Sequence, residues 1–90
     1  MMLSSFPAIQ SFIPSPIGNP EPVIIDPAEL EAIRLIDLEG LLQEEAGKRM
    51  GVSRGTVWRL LKSGRRKVAT ALVEGRPLIL ASLAECENSN

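Results

Sequence analysis

Gln43-Glu44-Glu45-Ala46-Gly47-Lys48-Arg49-Met50-Gly51-Val52-Ser53-Arg54-Gly55-Thr56-Val57-Trp58-Arg59-Leu60 is the stretch whose reading decides the fold. Two helices joined by a tight turn need a small residue where they touch, and Gly47 supplies it. They need a residue tolerant of positive φ to end the first helix, and Gly51 sits four positions later. Ala46, Met50, Val52, Val57 and Leu60 are apolar and can close the small core between the helices. Ser53 is an N-cap that starts the next helix at once. The register predicts a helix-turn-helix, with a short helix from Leu42 to Met50 and a third helix from Arg54 to about Val73.

Upstream, Asp26-Pro27-Ala28-Glu29 reads as a helix start, with Asp as N-cap, Pro at the first helical position and Glu reaching back. Leu30, Ile33 and Ile36 recur at helical spacing and Gly40 closes this first helix. Downstream, Val57, Leu60, Leu61, Gly64, Val68 and Leu72 form the apolar stripe of the third helix, which Gly75 and Pro77 stop. Val23–Ile25 and Leu78–Leu80 are short runs able to pair as strands, within one chain or between two. Residues 1–22 hold five prolines, too many for a helix or central strand, and read as an extended arm, docked on the domain or on a second subunit, or disordered. Residues 23–80 form the domain, and 81–90 read as a polar tail. The expected fold is mainly all-α, three helices with a long third one and possible short flanking strands.

The chain has 90 residues, enough for one modest core. It has no histidine or tyrosine and a single cysteine, Cys86. The usual general base is therefore missing, and one thiol can form neither an internal disulfide nor a zinc site. Asp37 and Glu39 lie two apart and point in different directions on a helix, and no nucleophile–base pair is legible. An enzyme is not expected, nor a cofactor or metal. With no long apolar run, no membrane span is expected either, and a reducing, cytoplasmic setting fits.

The net charge of −1 hides a division. Residues 21–45 carry Glu21, Asp26, Glu29, Glu31, Asp37, Glu39, Glu44 and Glu45 against Arg34 alone, a balance of −7. Residues 48–67 carry Lys48, Arg49, Arg54, Arg59, Lys62, Arg65, Arg66 and Lys67 with no acid, a balance of +8. A chain with one strongly basic segment has a polyanion as its natural partner.

Glu29-Leu30-Glu31-Ala32-Ile33-Arg34-Leu35, Asp37-Leu38-Glu39-Gly40-Leu41, Gln43-Glu44-Glu45-Ala46 and Arg49-Met50-Gly51-Val52-Ser53-Arg54 carry a family resemblance. So do Arg65-Arg66-Lys67-Val68-Ala69 and Ala71-Leu72-Val73-Glu74-Gly75. Over Ala28–Leu80 the chain resembles the small prokaryotic family grouped as domain of unknown function 134. Its helix-turn-helix is similar to region 4 of the primary-type sigma factors. The resemblance implies a regulatory DNA-binding protein. Two features depart from it. The basic, cysteine-containing segment with which members often begin is not found here, and Gly47 replaces the usual alanine at about 1 kcal/mol of helix propensity.

In a helix-turn-helix the start of the third helix enters the major groove. With Val57, Leu60 and Leu61 inward, Arg54, Gly55, Trp58 and Arg59 are the candidate base contacts, Gly55 by allowing close backbone approach. Gln43, Ser53, Thr56, Lys62, Arg65, Arg66 and Lys67 are the candidate phosphate contacts. Trp58 suits packing or a dimer contact as well as a thymine methyl. The expected function is sequence-specific binding of double-stranded DNA by a transcriptional regulator, as a homodimer because one helix reads too few bases. The alternative is a protein-interaction module contacting the transcription machinery, RNA polymerase included, through the acidic segment. An RNA-binding role has few stacking aromatics to support it.

Overall fold

Asp26 starts a helix where its sequence context predicts one. In the computed structural model, which describes residues 10–81, α1 runs Pro27–Ile33. The Asp26 N–H donates to Glu29 Oε1 at 3.0 Å, so a terminal amide is satisfied by the helix's own third residue. The helix continues into a π-helical turn, Arg34–Leu38, and Gly40 follows at φ +75°. α2 spans Gln43–Met50 and ends on Gly51 at φ +73°. α3 spans Arg54–Glu74 and ends on Gly75 at φ +64°. Both glycines hold a left-handed conformation that a side chain disfavours.

The strands are β1 (Ser11–Phe12), β2 (Val23–Ile25) and β3 (Leu78–Leu80). They form one sheet in the order β1-β3-β2. β1 pairs antiparallel with β3, and β2 pairs parallel with it, Val23 opposite Leu78 and Ile25 opposite Leu80. A parallel pair needs a long crossover, and here all three helices supply it. The domain is thus mainly helical with a small three-stranded sheet. Val23 and Ile25 are buried while Ile24 between them is exposed, the alternation of a strand with one covered face.

Of the placements open to the arm, the structure shows the docked one. From residue 10 it is docked on the domain and contributes the edge strand β1. The N–H groups of Gly18 and Asn19 both donate to the Gly75 carbonyl, at 2.9 and 3.1 Å. Arg76 donates through Nε to the Glu21 carbonyl at 2.7 Å and through Nη2 to that of Pro22 at 3.2 Å. A proline-rich segment lacks the N–H groups of a ladder, so its carbonyls are satisfied by a side chain from the end of α3 instead. Residues 1–9 and nearly all of the expected tail, Cys86 included, lie outside the described residues.

The first core gathers Leu35, Ala46 and Val57, with Ile36, Leu41 and Met50 packed against it. Beside it lie Val23, Ile25, Leu61 and Ala71, all buried. Three expectations shift here. On α1 the buried line is Glu29, Ala32 and Leu35, while Leu30, Ile33 and Ile36 are half-buried. Leu72 is 77% exposed and Ala71 takes its place. Steps of four along a 3.6-residue helix drift by about 40° each, so the stripe returns inward by a step of three. Val52 is 37% exposed, because the turn is closed by its backbone, whose N–H donates to the Gly47 carbonyl at 2.9 Å.

α3 crosses α1 at Gly64. A Cβ there would stand 2.9 Å from Ile33 Cδ1 and 3.3 Å from the Glu29 carbonyl oxygen. Next to this crossing, the buried Glu29 carboxylate accepts from Ser63 Oγ at 2.5 Å and from Lys67 Nζ at 2.8 Å. Burial works to raise its pKa. The hydrogen bonds from Lys67, Ser63 and the Asp26 N–H outweigh it, and the net shift is downward.

Gly64→Val is expected to destabilise the fold by about 2 kcal/mol, as overpacking forces α1 and α3 apart, measured by urea unfolding. Because the folded Glu29 pKa is lowered, its contribution is present above the unfolded glutamate value and is lost as pH falls through the folded one. Urea midpoints taken from neutral pH down into the carboxylate range should therefore fall more steeply for the wild type than for Glu29→Gln.

Candidate nucleic-acid interface

The connection between α2 and α3 is built from backbone. A Cβ on Gly47 would lie 2.7 Å from the Val52 carbonyl oxygen, so glycine lets the turn approach more closely than an alanine would. The Leu42 N–H donates to Glu45 Oε1 at 2.9 Å, opening α2. The Thr56 N–H donates to Ser53 Oγ at 3.1 Å, opening α3. These caps set the angle at which the first turns of α3 leave the domain.

Arg54, Gly55, Trp58, Arg59 and Lys62 all lie on the exposed face of α3. Trp58 is 46% exposed, among cations rather than in a core. A Cβ on Gly55 would meet only Ser53 Oγ, at 3.9 Å, so packing does not demand glycine there and the backbone stays open to approach. Ser53 is exposed, Thr56 half-buried, and Gln43 is the half-buried first residue of α2.

The eight basic residues of the 48–67 segment divide into two groups. Arg65 donates from Nε to Asp37 Oδ2 at 3.0 Å and from Nη2 to Oδ1 at 2.5 Å. This forked hydrogen bonding lowers the Asp37 pKa and raises that of Arg65. Lys67 is held by Glu29, and Arg49 stands 4.0 Å from Glu39. Glu39 and Glu31 both bind Arg34, whose hydrogen bond holds the Glu31 carboxyl below its ordinary range. Among the described residues, Lys48, Arg54, Arg59, Lys62 and Arg66 make no ion pair.

The sequence thus brings Arg54, Gly55, Trp58, Arg59, Lys62 and Arg66 onto one helix, with Ser53 and Thr56 at its start. It gives Lys67 and Arg65 partners that no local spacing revealed, 38 and 28 residues away. The only hint was the matching of an acidic run by a basic one. Among the described residues no group of three or more His, Cys, Asp or Glu side chains is placed to hold a metal ion. No described helix is long and apolar enough to cross a membrane.

Residues 1–85 match the family described as protein of unknown function DUF134. The chain belongs to this family. It is similar to a UPF0251 protein of Thermococcus kodakarensis, 55% identical over 82 residues, which cover 88% of this chain and 73% of that one. A UPF0251 protein of Archaeoglobus fulgidus is 42% identical over 85 residues, 94% of this chain and 81% of its own length. One from Vibrio parahaemolyticus is 53% identical over 64 residues, 71% and 67% respectively. The family therefore has members in both archaea and bacteria. No solved structure matches the chain.

The division of cations has a direct test. Lys67→Met leaves the buried Glu29 without its cation and should cost about 1–3 kcal/mol, toward the low side of a broken buried pair because Lys67 is partly solvated. Lys62→Ala, on the open face, should stay within about 0.5 kcal/mol of the wild type. Urea unfolding of both variants measures the contrast.

Proposed function

We propose that this protein binds double-stranded DNA sequence-specifically through a helix-turn-helix formed by α2 and α3, and acts as a transcriptional regulator. The observation that carries the reading is the exposed face of α3, where Arg54, Arg59, Lys62 and Arg66 meet no acidic partner among the described residues. A face whose charges are left unpaired, beside a segment whose other charges are paired, suits an external polyanion.

In this reading the first turns of α3 lie in the major groove. Arg54, Gly55, Trp58 and Arg59 meet base edges, and Gln43, Ser53, Thr56, Lys62 and Arg66 meet phosphates. Arg65 and Lys67 leave the list of phosphate contacts, because Asp37 and Glu29 occupy them. One recognition helix reads few bases, so a homodimer on two half-sites completes the proposal. The exposed Leu72 and Val73 give such a pairing apolar surface at the far end of α3. The setting is the cytoplasm of a prokaryotic cell.

A second reading, a module docking on the transcription machinery, is favoured by Leu38 and Leu42. They are 79% and 69% exposed within the acidic segment, and apolar surface of this kind marks interaction sites when it is contiguous.

Fluorescence anisotropy with random-sequence duplex, at salt from about 50 to 200 mM, separates the two readings. DNA binding with Lys62 and Arg66 on phosphates predicts log affinity falling against log salt with a slope of about −2, near −0.9 per phosphate neutralised. Lys62→Ala should flatten that slope by about 1, and the Arg54→Ala/Arg59→Ala double variant should lose preference among selected sequences with little change in it. Weak binding indifferent to salt and to the variant favours the docking module.

A further inference from the structure

Among the unpaired cations one differs from the rest. Arg59 Nη2 donates to Thr56 Oγ1 at 3.2 Å. Thr56 Oγ1 stands 3.0 Å from Ser53 Oγ, and Ser53 Oγ accepts the Thr56 N–H at 3.1 Å. The chain Ser53–Thr56–Arg59 thus begins at the N-cap, a point fixed by the start of α3, and ends on a guanidinium nearly two turns further along. Lys48, Arg54, Lys62 and Arg66 carry no side-chain hydrogen bond of this kind among the described residues. Arg65 is held too, but by a carboxylate that neutralises it. Arg59 alone in this set is tethered through a neutral oxygen, keeping its charge and most of its donors.

That distinction matters chemically. A guanidinium has five N–H donors in a rigid planar fork, and one bond to Thr56 leaves four. Two donors directed together match the O6 and N7 acceptors of guanine in the major groove, which no other base presents. Arginine usually loses its rotamer freedom only when it binds, and holding it beforehand reduces that penalty. We propose that Thr56 is a positioning residue that holds Arg59 for bidentate contact with a guanine, making Arg59 the principal determinant of base preference. The proposal rests on the DNA-binding reading above and reassigns Thr56 from a phosphate contact to a group acting through Arg59.

The test uses the full chain and a random-sequence duplex library. Wild type is carried through selection, and affinities are then measured for a selected duplex and for the same duplex with each guanine·cytosine pair replaced by adenine·thymine. One guanine position should cost the wild type about 5- to 100-fold. Arg59→Lys keeps the charge but not the fork, and should lose that discrimination while holding the salt slope. Thr56→Val should lose about 2- to 10-fold of the discrimination at the same position, with the salt slope unchanged, and Thr56→Ser should restore it. Circular dichroism and urea unfolding confirm that the variants fold. Thr56→Val weakening all duplexes equally identifies Thr56 as a phosphate contact and overturns the proposal, as does discrimination equal to the wild type. A wild type with no salt-dependent duplex binding overturns the DNA-binding reading itself, and this inference with it.

Discussion

One buried carboxylate holds the parts of this domain in register. Glu29 receives an amide from Asp26, the residue between β2 and α1, and a hydroxyl and an ammonium from the middle of α3. Taking a charge out of water costs several kcal/mol unless partners replace the solvent. Here three donors do so, and the pKa falls although burial works against it. The same residue caps one helix and clamps another over Gly64, where a Cβ would crowd Ile33 Cδ1 and Glu29.

The clamp also shapes the electrostatics. A chain with an acidic run followed by a basic run can pair the two completely and present a neutral surface. This fold pairs only some of them. Asp37 and Glu29 reach the middle of α3 and take Arg65 and Lys67, while Glu31 and Glu39 serve Arg34. The acids lie on α1 and its π-helical turn, which pack against the inward side of α3, so the outward side beyond their reach keeps its charge. That remainder is the positive face on which the proposed function rests. Its strength depends on which cations the fold uses internally, not on the net charge of −1.

How much was legible beforehand follows from the range of the interactions. The N-caps at Asp26 and Ser53, the stops at Gly51 and Gly75, and the outward positions Arg54, Gly55, Trp58, Arg59 and Lys62 are local consequences of residue type and a 3.6-residue period. Each stands where the sequence put it. The docking of the arm was not legible, because it depends on Gly18 meeting Gly75 and on Arg76 reaching back over more than 50 residues. The division of the cations was hidden for the same reason. A run of eight basic residues looks uniform until the carboxylates that face it are placed in space.

The sequence by itself determined three helices, their ends and which side of α3 faces solvent, because each depends on neighbours within a few residues. The tertiary structure alone decided that the two short apolar runs pair in parallel, with a third strand from the arm. It also decided that Leu72 gives way to Ala71, and that Glu29, besides capping its own helix, is the buried link between α1 and α3. The physical reason is common to all of these. Strand pairing, helix crossing and burial of a charge are set by contacts between segments far apart in the chain, and their energies exist only once the chain has closed on itself.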